Sequence, residues 1–110
     1  MNDSAESSGV PWTFITNHGL VLLAIAQNLE IRERDIADRV GITERAVQRI
    51  ISDLVEAGYL SFRRSGRRNV YELHGEVRLP HPTTRHQEVG ALMATLMRGS
   101  APKTRGRALR

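Results

Sequence analysis

Side chains that can pair with DNA bases recur at helical spacing in residues 41–59, GITERAVQRIISDLVEAGY. Apolar residues at i, i+3, i+4, i+7 and i+8 can bury one side of such a helix, which leaves a polar side. An arginine there can donate two hydrogen bonds to guanine O6 and N7, and a glutamine can pair with adenine N6 and N7. A threonine at the helix start can hold a phosphate. The candidate DNA-binding residues on this side are Thr43, Glu44, Arg45, Gln48 and Arg49.

Four more arginines follow within residues 61–70, SFRRSGRRNV, a stretch that contains no acid. The chain has 110 residues and a net charge of +4, and the surplus lies in the C-terminal third, residues 77–110. Residues 10–76 are neutral in total, but within them residues 30–44 are rich in Asp and Glu whereas residues 61–70 form a strongly positive tip. A concentrated positive surface attracts the phosphates of nucleic acid. This second group of candidate DNA-binding residues comprises Arg63, Arg64, Arg67 and Arg68.

Each of these residues also has a structural alternative. A polar helix face is commonly only a solvated surface. Glu44 can stabilise the positive end of the helix dipole, and Arg45 or Arg49 can pair with Asp53 or another nearby acid. The base-reading role therefore depends on what surrounds the helix.

Two further helices are predicted before this one. Asn17 is a suitable N-cap for the first, which covers about residues 18–28 and is apolar almost all round. The second runs from about 32 to 40, where Gly41 supplies the left-handed residue that ends it. Thr43 is a suitable N-cap for the third helix, so only a short turn separates the second helix from the third.

After Gly58 the period changes from helical to alternating. Apolar and polar side chains alternate in residues 60–63 and again in 69–73. Ser65 and Gly66 between them favour a tight turn. The pattern predicts a β-hairpin with an arginine-rich tip.

A fourth, amphipathic helix is predicted over about residues 84–98. The spacing of Thr84 to Gln87 matches a capping box. Apolar residues then recur at i, i+3, i+4, i+7 and i+8, namely Val89, Leu92, Met93, Leu96 and Met97.

These elements predict a mainly α fold with a small β-hairpin wing: a winged helix-turn-helix with a three-helix core, followed by a C-terminal amphipathic helix. Residues 31–73 contain DIA, VGIT, AVQRIISDLVEAGYL and GRRNVYEL in this order, and they closely resemble the DNA-binding domain of MarR-type and ArsR-type regulators. The resemblance implies a sequence-specific, double-stranded DNA-binding transcriptional regulator. It also implies that the third helix enters the major groove and that the wing contacts the adjacent minor groove or the backbone.

Two other functions remain open from the sequence. A winged helix can serve as a protein-interaction module in a larger assembly, because a fold does not fix its partner. An ArsR-like metal-sensing repressor is the other alternative, since His74, His81, His86 and Glu88 follow the wing. No two of these histidines have i, i+4 spacing within one helix, and the chain has no cysteine, so we assign no metal site. No catalytic motif is present, and we expect neither an enzyme nor a cofactor.

The predicted organisation is a disordered N-terminus (1–10), the winged domain (11–79), a connector with a dimerisation helix (80–98) and a basic disordered tail (99–110). We expect a homodimer, because a two-fold pair doubles the base contacts on a palindromic site. Packing of the fourth helix on the first is the alternative. The residues assigned to the dimer interface are Trp12, Phe14, Val89, Leu92, Met93, Leu96 and Met97.

The remaining expectations concern location and signals. The longest apolar run, residues 20–26, is too short to cross a bilayer, so we expect a cytoplasmic protein without membrane contact. The MarR-type regulators that the chain resembles have long helices on both sides of the winged domain, but about 17 residues precede the first helix here. We therefore expect no small-molecule effector.

Overall fold

Four helices and one antiparallel hairpin make up residues 10–99, the part of the chain that the computed structural model describes. In chain order they are α1 (Asn17–Gln27), α2 (Glu33–Val40), α3 (Glu44–Glu56), β1 (Leu60–Ser65), β2 (Arg68–Leu73) and α4 (Val89–Arg98). The predicted mainly α fold with a hairpin wing is confirmed. The segments 1–10 and 99–110, predicted to be disordered, lie outside the described residues except for Val10 and Gly99 at their borders. No helix within 10–99 is long and apolar enough to cross a membrane.

The core is formed where α1, α2 and α3 meet. The predicted apolar faces of α2 and α3 point inward, and both strands add one large side chain to the same cluster. Burial of such side chains is the main favourable term for a domain of this size. The fully or nearly fully buried residues of the four helices are Val21, Leu22, Ala24, Ile25, Ile36, Ala37, Val47, Ile50, Ile51, Leu54, Val89 and Met93.

The turn between α2 and α3 is the one the sequence predicts. Gly41 adopts a left-handed φ of 89°, and its amide and that of Ile42 both donate to the Ala37 carbonyl. Thr43 then caps α3, since its hydroxyl accepts a hydrogen bond from the Ala46 amide at 3.0 Å. These local contacts fix the direction in which α3 leaves the turn.

The N-cap of α1 is Thr16 rather than the predicted Asn17. The Thr16 backbone is extended, and its hydroxyl accepts from the Gly19 amide at 3.2 Å. Asn17 is the first residue inside the helix. Both residue types cap helices well, so the sequence alone could not choose between two adjacent candidates.

Strands β1 and β2 pair in register from Leu60 opposite Leu73 to Ser65 opposite Arg68. A two-residue loop joins them, in which Gly66 has a φ of 66°. The other edge of β2 is tied to the helical core, because the Tyr71 amide donates to the Leu29 carbonyl at 2.9 Å. Strand β2 is therefore held between β1 on one edge and the segment before α2 on the other.

The prediction of a helix from residue 84 is wrong, since α4 begins at Val89. Residues 77–79 and 87–89 hydrogen-bond to each other instead: the Leu79 amide donates to the Gln87 carbonyl, and the Val89 amide donates to the Val77 carbonyl. This pairing requires an extended backbone up to residue 88. Thr84 consequently forms a turn with His81 and does not cap a helix.

The start of α4 is held by an approach of two glycines. The Gly90 amide donates to the Gly75 carbonyl at 2.9 Å, and a Cβ at Gly90 would lie 2.8 Å from the Gly75 Cα. Only residues without side chains permit this distance. The contact directs α4 back onto α1, where Val89 and Met93 are buried.

Candidate nucleic-acid interface

The polar face of α3 is free of the core. Thr43, Glu44, Arg45, Gln48 and Arg49 are all exposed, whereas the opposite face is buried. Within residues 10–99 neither of these two arginines forms an ion pair. The five predicted residues thus lie on one accessible surface at the N-terminal half of the helix.

Asp53, the sequence-based candidate partner for these arginines, is bound elsewhere. The His18 imidazole of α1 donates from Nε2 to its Oδ2 at 2.8 Å, and both side chains are about half exposed. This contact ties α1 to the C-terminal half of α3. It leaves the N-terminal half of the polar face available to a partner.

Gln48 is oriented by Glu33, a neighbour from another helix that the spacing of apolar residues does not predict. Its Nε2 donates to Oε1 of Glu33, the first residue of α2, at 3.0 Å. An ionised carboxylate can only accept hydrogen bonds, so the amide nitrogen must face Glu33. The second Nε2 hydrogen and the Oε1 acceptor of Gln48 remain for a purine edge. Glu33 therefore preorganises the glutamine.

The four wing arginines are exposed but point in different directions. Directly opposed residues of an antiparallel pair share a face. Arg63 and Arg68 therefore lie on one face, Arg64 lies on the other, and Arg67 lies in the loop. Arg68 is 3.8 Å from Glu30, measured between Nη1 and Oε1, which is a weak, exposed ion pair.

Arg64 is positioned by a chain of hydrogen bonds on the inner face of the wing. Its Nη1 donates to Asn69 Oδ1 at 3.2 Å, and Asn69 Nδ2 donates to the Tyr71 hydroxyl at 3.2 Å. Burial raises the pKa of the Tyr71 phenol, as does the nearby charge of Glu33, while the Asn69 hydrogen bond and Arg64 act in the opposite direction. The phenol therefore stays neutral and serves as a fixed acceptor for Asn69.

A cleft of about 530 Å³ opens where the wing, the start of α2 and the start of α3 meet. Two of its arginines, Arg32 and Arg34, were not among the predicted site residues. A signal for Arg32 was present in the sequence, because it occupies the position before α2 where a capping side chain would be expected. The lining residues are Ile31, Arg32, Glu33, Arg34, Glu44, Arg64, Arg67, Arg68, Asn69 and Tyr71.

The order of these elements and the polar α3 face match those of a known family. The sequence model described as the MarR family matches residues 8–68, which is more than half of the chain. The chain belongs to the MarR family. Members of this family are transcriptional regulators, not enzymes, and they carry a winged-helix DNA-binding domain.

Solved structures agree with this assignment at the level of the fold. The MarR-family chain is similar to the PcaV transcriptional regulator from Streptomyces coelicolor, solved in complex with its natural ligand. The two are 21% identical with a TM-score of 0.50, and the match covers 89% of this chain and 70% of PcaV. No curated protein shows significant sequence similarity.

Two of the histidines considered for metal sensing, His74 and His81, have other contacts in this MarR-family protein. His74 Nε2 is hydrogen-bonded to the Ser61 hydroxyl at 3.0 Å, and His81 Nδ1 accepts from the Thr83 amide at 3.0 Å. Within residues 10–99, no three His, Asp or Glu side chains are grouped so that they could hold a metal ion. The structure thus gives the metal-sensing alternative no supporting geometry.

The residues predicted for the dimer interface fall into three groups in the MarR-family fold. Trp12 and Phe14 precede α1 and are 60% and 88% exposed. Val89 and Met93 are buried in the core of their own chain, so they cannot reach a partner. The other large apolar residues of α4, which are partly buried at the edge of the core, are Leu92, Leu96 and Met97.

Proposed function

We propose that this transcriptional regulator recognises a specific double-stranded DNA sequence. The N-terminal half of α3 enters the major groove, and the arginine-rich wing contacts the adjacent minor groove or its phosphates. A major groove accepts an α-helix and presents a distinct donor and acceptor pattern for each base pair. Family membership supports DNA binding, and the groove contacts are our proposal.

One observation carries this proposal. The exposed face of α3 holds Arg45, Gln48 and Arg49, which are side chains that pair with guanine and adenine, next to a wing with four exposed arginines. A winged helix used for protein contact would need an apolar or acidic surface there. The side chains on this face instead match the chemistry of base edges and phosphates.

The test is selection of binding sites from random duplexes with the full chain, followed by titration of the enriched sequence. We expect an enriched motif and a clear preference for it over scrambled duplexes at physiological salt. Binding with equal affinity to every duplex would remove the claim of sequence specificity. Absence of binding at low salt would remove the groove model altogether.

Glu33 offers a prediction about how base preference is set. In Glu33→Ala, Gln48 loses its acceptor, and we expect a weaker preference at one base pair, by about 1 kcal/mol. Glu33→Gln keeps an acceptor and removes a negative charge, so it should retain the preference and bind all duplexes more tightly. Titration of matched and single-mismatch duplexes separates these outcomes, with Gln48→Ala as the control. Equal behaviour of the alanine and glutamine variants would contradict the orienting role.

We propose that the regulator forms a homodimer through the segment before α1 together with the edge of α4. Phe14 supports this, since a phenylalanine 88% exposed on a monomer is an unusual exposure of apolar surface. The proposed division keeps residues 11–79 as the DNA-binding part and 80–98 as connector and dimerisation helix. Burial of Val89 and Met93 leaves Leu92, Leu96 and Met97 for the partner.

The dimer prediction is tested at the exposed aromatic residues. Trp12→Ser/Phe14→Ser removes apolar surface without opening the core, and we expect the wild type to sediment as a dimer and the variant as a folded monomer. Leu92→Asp is a less suitable test, because Leu92 also packs against its own core. A wild type that is monomeric at micromolar concentration would contradict the proposal.

We also propose that a small-molecule effector can act on this protein. PcaV was solved with its natural ligand, which argues against the sequence-based expectation that no effector acts here. The cleft beside the wing is lined mainly by charged side chains. An anionic molecule bound there would compete with DNA on the proposed face.

A further inference from the structure

The cleft between the wing and the start of α2 carries an excess of positive charge. Five arginines and two glutamates line it. One glutamate, Glu33, accepts a hydrogen bond from Gln48 and so has one carboxylate oxygen turned toward α3. Arg32 and Arg34 come from a third element, separate from α3 and the wing, and neither guanidinium forms a hydrogen bond or an ion pair within residues 10–99. The cleft therefore offers cations that the fold itself does not use.

Duplex geometry places a sugar-phosphate strand at this cleft. The major and minor grooves of B-DNA are adjacent, and the strand between them carries phosphates along its length. A helix in the major groove and a wing in the next minor groove must lie on either side of that strand. The start of α2 borders the same cleft as these two elements, since Arg32, Glu44 of α3 and Arg67 of the wing all line it.

The side chain of Arg32 does not cap the start of α2. Thr16 and Thr43 cap α1 and α3 with hydroxyl groups, whereas Arg32 makes no side-chain capping hydrogen bond. Ser, Thr, Asp and Asn are strongly preferred at this position because they satisfy a free helical amide. An exposed arginine gives up that stabilisation and adds a cation to the cleft.

From these observations we infer that Arg32 and Arg34 form a phosphate-binding site for the DNA strand that separates the two grooves. The inference rests on the proposed groove placement and adds a third anchoring element to it. Arg64, held by Asn69, faces the same cleft from the wing. Phosphate contacts fix the register of a protein on the duplex but carry no sequence information, so this site supplies affinity and alignment.

The test compares Arg32→Ala/Arg34→Ala with Arg85→Ala/Arg98→Ala, a control that removes two exposed arginines outside the cleft. On the duplex enriched by the wild type, we expect the cleft variant to bind on the order of tenfold more weakly. The slope of log K against log salt should fall by about 1.8, which corresponds to two lost phosphate contacts. Base preference should not change. The control should lie close to the wild type in both quantities.

Replacing single DNA phosphates with uncharged methylphosphonates shows which phosphates contact Arg32 and Arg34. Methylphosphonates are placed one at a time in the strand between the α3 motif and the wing site. At one or two positions they should weaken the wild type but not the cleft variant. Arg32→Ser separates binding from folding, because serine supplies the missing cap: we expect Tm to rise by about 2–6 °C while DNA binding weakens.

The outcomes distinguish this inference from the proposed function. If the wild type selects a motif but the cleft variant keeps its salt slope, or methylphosphonates weaken both proteins equally, the phosphate site is wrong and the groove model stands. If the wild type selects no motif, the proposed function fails first. If the wild type, but not the cleft variant, binds millimolar inorganic phosphate or a nucleotide while its affinity for DNA stays the same as in chloride of equal ionic strength, the cleft holds a small anion and the strand assignment is overturned.

Discussion

We expect Arg45→Ala/Arg49→Ala to abolish the preference of the protein for its enriched duplex, because in the proposed groove model these side chains pair with guanine through two hydrogen bonds each. Each good bidentate pair contributes about 1–3 kcal/mol of discrimination, so we expect a loss of roughly 2–6 kcal/mol relative to a scrambled duplex. Both arginines are exposed and unpaired in the described part of the chain, and the fold should therefore persist. Fluorescence anisotropy with matched and scrambled duplexes measures the effect, and circular dichroism checks the fold.

The wing supplies the matched control for this experiment. Arg67→Ala/Arg68→Ala removes the same number of charges, but at the tip of the hairpin. We expect it to weaken binding to all duplexes and to lower the salt slope by about 1 per lost phosphate contact, while the preference among duplexes remains. If the two double variants lose preference to the same extent, α3 is not the element that reads the sequence.

We expect Gly90→Ala to destabilise the fold strongly, although it adds only one methyl group. The new Cβ would lie 2.8 Å from the Cα and 3.0 Å from the carbonyl oxygen of Gly75, and backbone atoms cannot rotate away. Relief requires α4 to move off Gly75, which breaks the hydrogen bond between them. Overpacking of this kind costs about 1–3 kcal/mol, which exceeds the small gain in helix propensity, so Tm should fall by roughly 5–20 °C.

Gly99→Ala is the matched control for the glycine contact. Gly99 has a right-handed helical backbone, and apart from its chain neighbours no atom of residues 10–98 lies within 4 Å of an added Cβ. We expect its thermal unfolding to lie close to the wild type or slightly above it. A Gly90→Ala protein that unfolds at the same temperature as Gly99→Ala would show that the approach of the two glycines does not hold α4 in place.

The first three helices and the wing could be predicted because their signals are local. Apolar spacing identifies the buried face of α3, Gly41 ends α2, and Thr43 starts the next helix. Once the inner face is known, Arg45 and Arg49 must lie on the outer one. The candidate base-contacting surface therefore followed from the period of the sequence.

The two errors at helix starts have different physical causes. Thr16 and Asn17 are both good N-caps, and choosing either one moves the start of α1 by only one residue. Thr84 does not cap the fourth helix as predicted, because residues 77–79 and 87–89 pair with each other across a turn and the helix begins only at Val89. The hydrogen bonds between these two segments outweighed the local capping box. A pattern of neighbouring residues cannot predict them, because they join parts of the chain about ten residues apart.

The sequence by itself determined which face of α3 is buried and which face is exposed. The spacing of its apolar residues decides this, because residues at helical spacing share one face. Only the tertiary structure decided what each face meets: Met93 against its own core, Gly90 against Gly75, Glu33 against Gln48. It also brought Arg32 to the wing, although they are about thirty residues apart. Such contacts depend on how whole elements pack, and periodicity carries no information about the partner of a buried or exposed face.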